Sequence, residues 1–94
     1  MFKVGKVINY YKGIDILIVQ LSSDLSVGDT IKVYKDGEEL FKNKIQKILV
    51  NNQNIPFAKS GDVIGLSLED VGQEKEKIQK GAEVFRLGQL GIRS

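Results

Sequence analysis

The chain has 94 residues, with 14 Lys plus Arg against 12 Asp plus Glu and 41% hydrophobic content. Such a chain makes one folded domain, too apolar for disorder and too balanced in charge to point by itself to a polyanionic partner. Cys and His are both absent, which excludes a disulfide framework, cysteine metal sites, thiolate chemistry and imidazole catalysis.

The predicted elements run in chain order as follows. FKVGKVINYY (2–11) is β-branched and aromatic and reads as a strand. No long apolar run precedes it, so no secretory leader is expected, and no stretch is long enough to span a membrane. GIDILIVQL (13–21) is the strongest strand in the sequence. DTIKVYK (29–35) alternates, with Ile31 and Val33 on one face. Lys35-Asp36-Gly37-Glu38 supplies the Asp-Gly that a tight hairpin needs. ELFKNKIQKILV (39–50) is a long strand whose pattern slips between Ile45 and Ile48, predicting a bulge. DVIGLSL (62–68) and AEVFRL (82–87) complete six strands, and only EKEKIQK (74–80) offers a helical turn. Short strands joined by Gly-containing turns predict an all-β fold, a single closed six-stranded antiparallel barrel over 1–88 with a short tail at 89–94.

One phrase recurs. VGDTIKV (27–33), SGDVIGL (60–66) and, more weakly, KGAEVFRL (80–87) each set a Gly just before a strand. Gly28, Gly61 and Gly81 are expected to take the positive φ of a sharp turn, with Asp29 and Asp62 accepting backbone N–H bonds. Gly65 is counted with these turn positions. Three similar corners are what a closed barrel requires.

The order of these motifs resembles the second domain of translational GTPases, the barrel that follows the GTPase domain in elongation factor Tu and its relatives. The resemblance covers roughly residues 4–87, through GKVINYY, Leu25 to Ile31, Ala58 to Leu66 and Ile78 to Gly81. It implies the translation-protein barrel fold in a stand-alone, translation-factor-like protein of the cytoplasm. No Gly-x-x-x-x-Gly-Lys-Ser/Thr occurs, so no GTP binding is expected. Val63 stands where the family carries a pocket Asn, so the aminoacyl pocket is not carried over. Similar barrels also serve as accessory domains, for example in collagenase-like peptidases.

Two functional expectations follow. Residues 1–14 and 40–61 contain Lys and no acid. The first expectation is a non-catalytic module on ribosomal RNA, tRNA or ribosomal protein. Lys6, Lys12, Lys42, Lys44 and Lys47 would meet phosphates, and Tyr10, Tyr11 or Tyr34 would stack on bases. Singly, each Lys reads more simply as the polar face of a strand, and Lys on an edge also discourages aggregation. The second expectation is a protein-interaction or accessory domain working with a separate enzyme such as a collagenase-like peptidase. Its signal is the strand 14–21, where Ile14, Ile16 and Ile18 face one way and Leu17, Val19 and Leu21 the other. A barrel wall has one inner face, so the Ile row awaits cover by a protein partner, by the 51–60 segment, or by Leu87, Leu90 and Ile92.

An enzyme is not expected. Ser22 and Ser23 have no His partner, and Glu69-Asp70 reads as solvated turn carboxylates rather than an acid–base pair or cation site. Glu74-Lys75-Glu76-Lys77 reads as a solvated loop. No cofactor or metal is called for, and the oligomeric state is left open.

Overall fold

The computed structural model describes residues 2–68 and 78–87. Their strands are β1 (Phe2–Tyr11), β2 (Ile16–Leu21), β3 (Leu25–Ser26), β4 (Thr30–Lys35), β5 (Glu38–Val50), β6 (Gln53–Ile55), β7 (Phe57–Ala58), β8 (Val63–Leu68) and β9 (Glu83–Arg86). Six of them close a ring in the order β4-β9-β1-β2-β8-β5, with β5 returning to β4, and every pairing is antiparallel. This is the expected closed six-stranded barrel. Closure leaves the ring itself no free edge. The short β6 adds to the end of β5, and β3 pairs with β7 outside the ring.

Alternation decides which residues fill the barrel. Leu17, Val19 and Leu21 of β2, Ile31 and Val33 of β4, and Ile64, Leu66 and Leu68 of β8 are all buried. No polar or charged residue is buried among the described residues. The core therefore has no desolvated polar group to satisfy, and its stability rests on apolar packing. The slip in the pattern of β5 is a register shift between Ile45 and Lys47 against β8, which lets Ile45 and Ile48 both point inward. Asp36 and Gly37 take φ of 53° and 83° in the β4–β5 hairpin, the sign of a type I′ turn.

The recurring phrase builds three equivalent corners. In each, a four-residue turn closes with a backbone bond from its fourth N–H to its first carbonyl: Asp29 to Ser26 (3.1 Å), Asp62 to Lys59 (3.1 Å) and Ala82 to Gln79 (3.2 Å). The third residue is Gly28, Gly61 or Gly81, with φ of 97°, 97° and 86°. Positive φ at that place is the mark of a type II turn. Each Gly N–H then donates to one strand residue whose own N–H returns a bond to the next carbonyl. Those residues are Ile45 for Gly28, Leu21 for Gly61 and Val7 for Gly81, with all six bonds between 2.8 and 3.0 Å. Three residues on, Ile31, Ile64 and Val84 enter the core.

The corners differ in their side chains. The Asp29 carboxylate accepts from Ser26 N–H at 2.9 Å and lies 3.9 Å from the Arg86 guanidinium, which also donates to Asp24 O at 2.7 Å. Asp62 accepts from Lys59 N–H at 3.2 Å, and Ala82 has no such group. Gly65 is no turn residue. It lies in the middle of β8 and pairs with Ile18 and Leu49. The second Gly of SGDVIGL thus serves a different end from the first. Glu69, Asp70 and 74–77 lie outside the described residues, as do Leu90 and Ile92.

Candidate functional site

The residues expected to bind RNA do not form one surface. Lys6 stands on β1 and Lys42, Lys44 and Lys47 on β5. In the six-strand ring β1 and β5 are three places apart in either direction, so they face opposite ways. Lys12 sits in the turn after β1.

The tyrosines are engaged elsewhere. Tyr10 packs against the core and its hydroxyl donates to Asp15 Oδ1 at 2.9 Å. Tyr34 meets Phe85 edge to face, with ring centroids 5.4 Å apart. The Tyr11 hydroxyl accepts from Asn9 Nδ2 at 3.3 Å. Two runs of Lys that look continuous in the chain are separated because ring order differs from chain order.

Ile14, Ile16 and Ile18 do come together on the outside of the barrel. They line a groove of about 340 Å³ with Tyr11, Leu49 and Val63, over the backbone of Gly65. Register explains its shape. Ile18 of β2, Gly65 of β8 and Leu49 of β5 form one cross-strand row, and Ile16, Ser67 and Lys47 form the next. Gly65 is the central member of the first row and has no side chain, so the two flanking aliphatic residues wall a hollow. A Cβ at Gly65 would lie 3.2 Å from Ile16 Cγ2 and 3.6 Å from both Ile18 Cδ1 and Leu49 Cβ.

The rim of the groove is open to solvent, while Ile16, Ile18 and Leu49 are half-buried and Gly65 is buried between them. Ile14 is 68% exposed, Val63 51% and Tyr11 50%. The 51–60 segment contributes only Asn51 and Asn52 to the groove and does not cover Ile14. Val63, Leu49 and Gly65 were not singled out for this face by sequence. The signal for two of them lies in DVIGLSL: if 64, 66 and 68 point inward, 63 and 65 must point out.

Comparison with known proteins corrects the expected kinship. No family model matches the chain. An uncharacterized protease of Methanocaldococcus jannaschii is 25% identical over 76 residues, which cover 81% of this chain and 19% of that protein. The chain thus spans about one fifth of its curated relative. Among solved structures it is similar to the C-terminal domain of a Geobacillus thermoleovorans protein assigned as a U32 peptidase. The TM-score is 0.76 at 16% identity, covering 93% of both chains. The selenomethionine variant of the same domain gives 0.74 at 17% identity, with 90% of this chain and 99% of that one covered.

The resemblance to the second domain of translational GTPases is therefore set aside, together with RNA, tRNA and ribosomal components as partners. The physical reason is in the corners. The motif apolar-x-x-Gly-acidic-x-apolar carries the turn and packing that close the barrel, so it reports architecture and not ligand. The findings favour the other expectation, an accessory domain beside a peptidase.

Proposed function

We propose that this chain is a non-catalytic accessory domain that binds protein and works beside a peptidase of the U32 kind. The observation that supports it most directly is one of extent. The barrel matches 93% of a single C-terminal domain and only 19% of a protease. The sequence agrees, having neither His nor Cys for an acyl-transfer site. Among the described residues no three acidic side chains are grouped to hold a metal ion, and no helix is long and apolar enough to cross a membrane. The solvent-facing apolar groove on β2, β8 and β5 supplies a surface suited to protein. A cytoplasmic setting is part of the proposal, and a chain without Cys is compatible with it.

The test pairs the purified chain with the catalytic portion of a U32-type peptidase from the same organism. Size exclusion with light scattering should show a one-to-one complex, and the chain alone should leave casein intact. Casein hydrolysis by the chain alone, or no complex at tens of micromolar, would overturn the reading.

A further inference from the structure

Resting on the accessory-domain reading, we infer that the hollow over Gly65 seats an aliphatic side chain from an uncharged, apolar segment of the peptidase surface. Three observations carry this. First, the hollow is built by register: Ile18 and Leu49 stand on either side of a glycine at the centre of an otherwise aliphatic row. A methyl group on Gly65 would meet Ile16 Cγ2 at 3.2 Å, tighter than ordinary contact, so the strand keeps a glycine there and the groove lies above its backbone. A glycine in a strand interior often marks a place where another group approaches the backbone closely.

Second, the chemistry of the lining selects the occupant. Tyr, Ile, Leu, Val and Gly make the floor and walls, and two Asn stand at one end. None of the lining residues is charged. A phosphate or a carboxylate would gain no cation in the hollow, and a lysine no anion. The nearest charge in register is Lys47, one row away, which disfavours a basic partner segment and tolerates an acidic one. Asn51 and Asn52 are both exposed, with φ of 53° and 65° at the tip of the β5–β6 hairpin. An exposed Asn amide can both donate to and accept from the backbone of an extended segment lying along the groove.

Third, the protease relative has about four fifths of its length beyond the part this barrel matches. Beside such a remainder this face would offer Ile14, Val63 and Tyr11, each exposed to at least half of its full area.

The test is a calorimetric titration of the full chain into the same purified peptidase portion, with Ile14→Asp and Val63→Asp as variants. Both side chains are more than half exposed, so the barrel should fold with either substitution. Each is expected to weaken binding at least about 10-fold, as for loss of an interface anchor. Lys80→Asp, beside β9 and across the ring from β8, should bind as the wild type does. Raising NaCl from about 0.05 to about 0.5 M should change the wild-type affinity less than about threefold, because no fixed charge is paired in the hollow.

A complex of full strength with both variants would overturn this inference and leave the accessory-domain reading standing. Absence of any complex would overturn both. A concentration-dependent dimer that Ile14→Asp abolishes, with peptidase binding intact, would assign the groove to a second copy of the chain and also overturn the inference.

Discussion

Replacing Gly5 with Ala should lower the unfolding free energy by about 3 kcal/mol, the upper range for forcing extra atoms into a packed interior. Gly5 is buried on β1 and pairs with Leu21 on one side and Val84 on the other. A Cβ there would stand 2.6 Å from Gln20 O and 2.7 Å from Val19 Cγ1. The first of these atoms is backbone within the β1–β2 ladder, so β2 itself must move. A barrel this small has only roughly 5–10 kcal/mol to lose, and urea unfolding followed by far-ultraviolet circular dichroism would show the midpoint fall at unchanged slope. Gly13→Ala is the control. Nothing lies within 4 Å of its added Cβ, and its change should stay within about 0.5 kcal/mol. Equal effects at the two sites would mean that β1 and β2 do not approach as described.

The corner glycines should show a different signature. Gly28→Ala and Gly61→Ala should each cost about 1–2 kcal/mol, the penalty for holding an L-residue in left-handed backbone. No atom lies within 4 Å of either added Cβ, and both φ values are 97°. Sterics with neighbours are thus absent and the cost is conformational alone, so the two variants should match. The sign is the sharp part. At an ordinary φ, Gly→Ala stabilises by roughly 0.4–1 kcal/mol through the unfolded chain. Thermal and urea unfolding of both variants measure it, and a gain in stability at either site would contradict the corner geometry.

Much of the barrel was legible in the sequence, because strand signals and turn chemistry are local. Alternation in DTIKVYK marked Ile31 and Val33 as core, and the slip between Ile45 and Ile48 marked the bulge in β5. The short strands β3, β6 and β7, two or three residues each, escaped notice, since so short a run carries no period.

The site was less legible for a topological reason. Lys6 and Lys42 share a composition but not a face, and only the ring order shows that β1 and β5 are opposite. The doubly apolar strand 14–21 did mark an unusual outer surface, because that reading needs only the parity of one strand. Gly65 was the least legible residue of the site. Its meaning depends on Ile18 and Leu49, which are 47 and 16 positions away and meet it only through pairing. Read as one of a set of turn glycines, it hid the hollow. Placed at the centre of β8, it defines it.

We propose that the β2–β8–β5 face of this barrel meets a peptidase. Amide chemical-shift mapping of the isotope-labelled chain, titrated with the unlabelled peptidase portion, tests it most directly. The largest changes are expected at Ile14, Ile16, Ile18, Leu49, Val63 and Gly65, with β4 and β9 unaffected. Changes centred on β4 and β9, or none at saturating peptidase, would contradict it.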